Sequence, residues 1–297
     1  MRKQKVLLVH NYYQIPGGED TVVANEKRLL EENGHQVILY TRHNSELKEL
    51  NIWQKLLLPL STVFNLRTYR EVKQIIRREH IDVVHVHNTL NLISPSVYYA
   101  AQAYRVPVVQ TIHNFRMLCP GATFFRDGHI CEECVSKGLG CSVRYGCYRG
   151  SRLQTLGVVV NTLFHRWTGI YRKIHYICLT EFNRDKLLQL NKPGKPPVVD
   201  PKKVHIKPNF TFTPPENRSE YRKHYLFVGR MEKIKGIDLL LEAFSRMPEV
   251  ELHIAGSGKE QYEPLLQSRN VRNIKLLGFL NREQLKEEYA KARALVI

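Results

Sequence analysis

The feature that most constrains this chain is an alternation with a single interruption. Short apolar runs of strand length take turns with segments whose apolar residues recur at helical spacing. The strand runs are 6–9, 37–40, 83–86, 106–112 and 176–179, and the helical segments are 22–33, 69–78, 95–104, 153–172 and 184–190. Apolar strands separated by helices suit a parallel sheet covered on both faces. Residues 191–215 break the rhythm with seven prolines around one short strand at 204–206. The alternation then resumes, with strands at 225–228, 252–255, 274–277 and 294–297 and helices at 237–247, 261–268 and 283–292. The reading is an α/β protein of two Rossmann-like domains facing a cleft. Residues 1–190 form the first domain, with a cysteine-rich insertion at 116–150; residues 191–219 form a hinge and 220–297 the second domain. The sequence stops on a strand with no helix after it, so the second domain is expected to be incomplete.

Bulk properties narrow the class. No apolar stretch is long enough to span a bilayer. The start, MRKQKVLLVH, is basic, but its apolar run is too short for a signal peptide and no small-residue cleavage site follows. It reads as the first strand of a cytoplasmic enzyme-like fold. Residues 216–297 carry 15 Lys/Arg against 12 Asp/Glu, whereas 1–215 carry the other 30 against 16. A domain that basic attracts an anion: a phosphorylated substrate, an anionic membrane or nucleic acid. No zinc-finger, KH or RRM signature supports nucleic acid.

Parallel sheets bind ligands beyond the carboxyl ends of their strands. Polar residues gather there in this sequence: His10 and Gly17-Gly18 after the first strand, His85, His87 and Asn88 in DVVHVHN, His113-Asn114 in VPVVQTIHN, and Thr180-Glu181 after YICL. Gly229-Arg230 and Gly256-Ser257-Gly258 occupy the same places in the second half. Each has a plainer reading. The Pro16-Gly17-Gly18-Glu19-Asp20 loop is either a tight turn with acids set on a helix dipole, or a place where an anion meets free backbone N–H groups. Arg230 and Lys235, between a strand and a helix, are either an exposed basic loop or a fork and a point charge around one diphosphate.

Together these pieces resemble the retaining glycosyltransferases of family 4, the group 1 transferases, which have the GT-B fold. The resemblance spans the whole chain. It rests on the glycine pair with Gly34-His35 closing the helix, on DVVHVHN, TIHNFRMLCPG, CEEC…GCYRGS, VGRMEKIKGIDLLLEAF and LHIAGSGKE…IKLLGFL. It implies a UDP- or GDP-sugar donor held mainly by the second domain and a glycan or lipid-linked acceptor on the first. Gly17 and Gly18 then face the donor phosphates, Arg230 and Lys235 clamp the diphosphate, and His113 stands beside the transferred sugar. Gly256 and Gly258 lie near the nucleotide, Gly278 and Phe279 near the base, and His87, Asn88 and Asn114 on the acceptor side. No metal is needed, because the two cations and a helix N-terminus stabilise the departing diphosphate. The family also carries two acids with seven residues between them just beyond the point where this sequence ends, so this chain is expected to be inactive without them. An epimerase of the same fold is the alternative within enzymes. A zinc-stabilised anion- or nucleic-acid-binding protein is the alternative outside them.

Two features stand apart. Cys119, Cys131, Cys134, Cys141 and Cys147 fall within 29 residues, while Cys178 sits alone in a strand. Cys119, Cys131, Cys134 and Cys147 could hold a structural zinc; reduced thiols and a disulfide are the other readings. Residues 52–66 carry Ile52, Trp53, Leu56, Leu57, Leu60, Val63, Phe64 and Leu66 as a wide apolar stripe, with Pro59 to kink it and Lys48, Lys55, Arg67 and Arg70 as basic flanks. The stripe either packs on the sheet or lies on an anionic membrane at the inner face of the cell.

Overall fold

The computed structural model describes residues 2–14, 17–49, 51–212 and 222–297, without the side chains of Lys55 and Leu56. Pro16 and the stretch 213–219 of the expected hinge lie outside that description. Two compact units result, Met1–Thr211 and Phe212–Ile297.

In the first unit the chain runs β1 (Lys5–Tyr12), α1 (Gly18–Glu32), β2 (Gln36–His43), α2 (Glu46–Glu49), α3 (Ile52–Val63), α4 (Leu66–Glu79), β3 (Val83–Val86), α5 (Ser96–Gln102) and β4 (Val108–Ile112). The cysteine-rich stretch folds as the hairpin β5 (Phe125–Arg126) and β6 (His129–Ile130), then α6 (Glu133–Ser136) and α7 (Gly140–Tyr145). Next come α8 (Arg152–Trp167), β7 (His175–Cys178), α9 (Glu181–Leu188) and β8 (Val204–Ile206). Six strands form one parallel sheet in the order β2-β1-β3-β4-β7-β8. Leu7, Leu8 and Val9 of β1 are fully buried, as a strand covered on both faces requires. Gly34 ends α1 in the left-handed region at φ 80°, which glycine adopts without a Cβ penalty.

Two expectations change here. The proline-rich stretch is not a free hinge from residue 191. β8 pairs with β7, and Val199 is in the core of the first unit. The Asn191 side chain holds the intervening turn through Val198 N, Val199 N and Val199 O. The stripe at 52–66, expected to kink at Pro59, is divided between two helices. α3 ends at Val63, and Asn65 caps a new helix by accepting the Thr68 N–H at 3.1 Å. Pro59 lies within α3.

The second unit holds β9 (His224–Val228), α10 (Ile237–Ser245), β10 (Leu252–Ala255), α11 (Lys259–Ser268), β11 (Ile274–Gly278), α12 (Arg282–Lys291) and β12 (Ala292–Val296). Its four strands are parallel, in the order β11-β10-β9-β12. Ile237, Leu241 and Phe244 of α10 pack with Leu252, Ile254 and Ile274 as its core.

Candidate active site

In each sheet the first strand lies where the strand order reverses, the place where open α/β sheets leave a crevice. In the first unit that strand is β1, between β2 and β3. Its end carries His10 and Asn11, both fully buried. The acids of the glycine loop fold back onto it. His10 Nε2 lies 2.8 Å from Asp20 Oδ1, while Asp20 Oδ2 accepts the Gly17 N–H at 2.8 Å. Gly17 has extended backbone at φ −131°, and among the described residues no atom lies within 4 Å of a Cβ built on Gly17 or Gly18. Positive φ is therefore not why two glycines stand here; open space beside the first turn of α1 is what they provide.

Sequence reasoning missed Glu26. It projects from α1 to the ends of β3 and β8. Its Oε1 accepts from Lys207 Nζ at 2.7 Å, and its Oε2 lies 3.2 Å from His87 Nε2 and 3.4 Å from His85 Nδ1. Its place was legible: Val22, Val23 and Glu26 fall on one helical face, and all three are buried. Burial opposes its ionisation, but His87, His85 and Lys207 outweigh that, and its pKa falls to about 2. Burial lowers the imidazoles in turn, His85 to about 4 and His113 to about 3, with His87 also below its usual range. These histidines are neutral at physiological pH, and the Lys207 ammonium faces the one carboxylate.

His87 then meets His113. Nδ1 of the first lies 2.9 Å from Nε2 of the second, with the rings stacked at 5.2 Å. Both line a cavity with Asn88, Asn114, Arg116 and Asn161. The amide of Asn88 is committed to the backbone, donating to Asn11 O and accepting from Leu90 N, so it shapes the wall. Asn114 Oδ1 accepts the Arg116 N–H at 3.0 Å. Asn161, buried on the inner face of α8, has an Oδ1 with no hydrogen-bond partner among the described residues. Sequence reasoning passed over it because it sits inside an apolar helix far along the chain.

In the second unit, Gly229, Gly256 and Gly278 bring three strand ends together. Gly229 N donates to Ala255 O at 2.9 Å and Gly256 N to Gly278 O at 2.8 Å. A Cβ on Gly256 would lie 1.9 Å from Gly229 O, and its φ is 151°, so only glycine fits. Gly258, at φ 101°, opens α11 against Met231 O. Arg230 extends from this shelf, half exposed and paired with Glu232 at 2.8 Å. Lys235 is exposed in the turn before Gly236 opens α10. Phe279, beside Gly278, is 73% exposed.

Residues 16–211 match the model of Glycosyltransferase Family 4, and residues 210–297 match that of Glycosyl transferases group 1. The chain belongs to the family 4 glycosyltransferases. Among curated proteins it is 26% identical over 155 residues to the O-antigen biosynthesis glycosyltransferase WbnH of Escherichia coli, a match covering 52% of this chain and 41% of that protein. The chain thus matches about two fifths of the length of that relative. Among solved structures it is similar to WaaG, a glycosyltransferase involved in lipopolysaccharide biosynthesis, at 15% identity and TM-score 0.55, covering 98% of this chain and 74% of that one. It is similar also to the UDP-GlcNAc 2-epimerase from Neisseria meningitidis bound to UDP-GlcNAc, at 13% identity and TM-score 0.51, covering 98% and 76%. Likenesses at this identity speak for the fold, and the fold is GT-B: two Rossmann-like α/β units.

Two further clusters of this family 4 transferase lie outside the strand-end sites. Five cysteines line a small cavity with Arg126 and Glu133, and none is in a disulfide. Burial, then neighbouring thiols, push Cys134 up to about 11. Among the described residues, Glu26-His85-His87 and His224-His253-Glu288 bring three ligand atoms within 4.8 Å of one another; the cysteines form no such group. Lys207 supplies the positive charge beside Glu26 that a cation would otherwise bring.

Proposed function

We propose that the whole protein transfers a sugar from a nucleotide-sugar donor to a hydroxyl of a glycan or lipid-linked acceptor, with retention at the anomeric carbon, in polysaccharide synthesis of the O-antigen kind. The observation that carries this is the glycine shelf of the second unit, where three strand ends converge and only glycine fits at Gly256. A nucleotide can approach such backbone closely, with Arg230, Lys235 and the first turn of α10 beside it for the diphosphate. Those cations stabilise the charge that grows as the nucleoside diphosphate leaves. The sugar passes through an oxocarbenium-like state, the acceptor hydroxyl attacks from the departing side, and the leaving phosphate oxygen takes its proton. The cavity of the first unit, with neutral His113 and the buried amide oxygen of Asn161 beside it, offers acceptors for sugar hydroxyls. Gly17 and Gly18 leave room for an anion beside the first turn of α1.

The reading is tested by thermal stabilisation. UDP or GDP should raise the melting temperature, while adenosine diphosphate at the same concentration should not. Equal shifts from all three would refute a dedicated nucleotide-sugar site. An epimerase shares the fold, but both matching family models are transferase models.

The cysteine cavity supports a structural role. The donor set of Cys119, Cys131, Cys134 and Cys147 suits zinc chemically, and we propose that zinc binding draws these sulfurs to ligand spacing as their protons leave. The metal would pin an insertion with little core of its own and takes no part in transfer.

A further inference from the structure

We propose that the outer face of α3 and α8 is a docking surface for anionic membrane lipid. The proposal is independent of the transfer reaction; exposure and charge carry it. Along α8, Leu153, Leu156, Val160, Leu163 and Trp167 recur every three or four residues, and their exposures run from 45 to 82%. The opposite side of the same helix buries Val158, Val159, Thr162 and His165. On α3, Ile52, Trp53, Leu57 and Leu60 are exposed at 56 to 74%. The two helices pack together, and His165 of α8 bonds Val63 O at the end of α3 at 2.9 Å. Their open sides therefore form neighbouring apolar ridges, more than a water-facing surface ordinarily shows. The stripe in α3 that was expected either to pack on the sheet or to lie on a membrane is turned away from the sheet at each of these four residues.

Charge selects the occupant. Arg144, Arg149 and Arg152 stand exposed at and just before the start of α8, and residues 134–180 contain no Asp or Glu. A second copy of this chain would bring two such basic faces together, which like-charge repulsion opposes. An anionic leaflet attracts the cations and accepts the apolar side chains at once. Trp53 and Trp167 are the side-chain type that settles at a membrane interface, with an apolar body and one polar N–H. The mode is lying on the surface rather than spanning it, since no described helix is long and apolar enough to cross. Asn161 and Thr162 line the His113 cavity from the inner side of α8. Only the width of one helix, about 10 Å, then separates that cavity from the lipid.

Sedimentation of the whole chain with vesicles tests this. Vesicles of phosphatidylcholine mixed with phosphatidylglycerol should capture it, those of phosphatidylcholine alone should do so far less, and raised salt should weaken capture. The double variant Trp53→Gln/Trp167→Gln should lower partitioning about tenfold or more, since two interfacial anchors are lost. Its melting temperature should not change, because both side chains are exposed. A second variant, Arg149→Glu/Arg152→Glu, should lower capture by the phosphatidylglycerol vesicles only. Three results would overturn the proposal: equal binding to both vesicle types, unchanged binding by the tryptophan variant, or a chain that is dimeric until those tryptophans are replaced. The last would assign the face to a second copy.

Discussion

His87 Nδ1 lies 2.9 Å from His113 Nε2, while the other nitrogen of His87 lies 3.2 Å from the Glu26 carboxylate. One carboxylate inside α1 is thereby connected through two rings to the wall of the cavity. A neutral His87 whose Nε2 proton faces Glu26 leaves Nδ1 as acceptor. His113 must then donate from Nε2, and its Nδ1 is left able to accept a hydrogen bond.

That buried cluster sets a pH dependence. Burial, followed by neighbouring imidazoles, holds His85 at about 4 and His113 at about 3. In the unfolded chain both titrate near the ordinary value of about 6.5. Between those values the unfolded state binds more protons, so stability rises with pH and is lost as pH falls below about 6.5. Glu26, with its pKa lowered to about 2, adds a further loss as pH drops through the range below its ordinary carboxylate value. Thermal melts should show stability falling by a few kcal/mol between about pH 6.5 and 4. His113→Asn should flatten that slope; a wild-type curve level over this window would contradict the neutral buried cluster.

Removing the proposed diphosphate clamp should separate rate from fold. In the full-length protein, Arg230→Ala with Lys235→Ala should cut turnover by about 100-fold or more while leaving the melting temperature within error, since both side chains lie in exposed positions. Near-normal turnover in the double variant would remove these residues from the mechanism.

Two glycines should behave in opposite ways. Gly256→Ala puts a Cβ 1.9 Å from Gly229 O, so it should cost roughly 3 kcal/mol and abolish the nucleotide-induced thermal shift. Gly17→Ala meets nothing within 4 Å and should change stability by no more than about 0.5 kcal/mol. If Gly17→Ala melts as early as Gly256→Ala, the open loop described above is wrong.

Asn161→Ala deletes a buried carbonyl oxygen that has no partner among the described residues. Its stability cost should be about 1 kcal/mol or less, whereas kcat/KM for the acceptor should fall about tenfold. Unchanged kcat/KM, with the donor and acceptor varied separately, would leave Asn161 a structural residue.

Elemental analysis of chelator-free, reduced protein should find one zinc per chain, and Cys134→Ser should release it. Full stability without any bound metal would assign the cavity to free thiols.

The alternation of apolar runs and helical segments was sufficient for two parallel sheets, because a strand buried on both faces must be apolar throughout, and that pattern lies in neighbouring residues. It also placed His87, His113, Arg230 and Gly256 just beyond strand ends, while His10, read as following the first strand, lies within β1. The proline count misjudged the hinge, because pairing of β8 with β7 depends on a strand elsewhere in the chain. Glu26 and Asn161 needed the tertiary structure for a related reason. A polar residue on a helix gains meaning only from what the helix is pressed against, here two histidines for one and a cavity for the other. The same holds for α8, which has apolar residues on two sides. Spacing made 153–172 a helical segment, and only packing decided that Val158-Val159 faces the protein and the row from Leu153 to Trp167 faces outward.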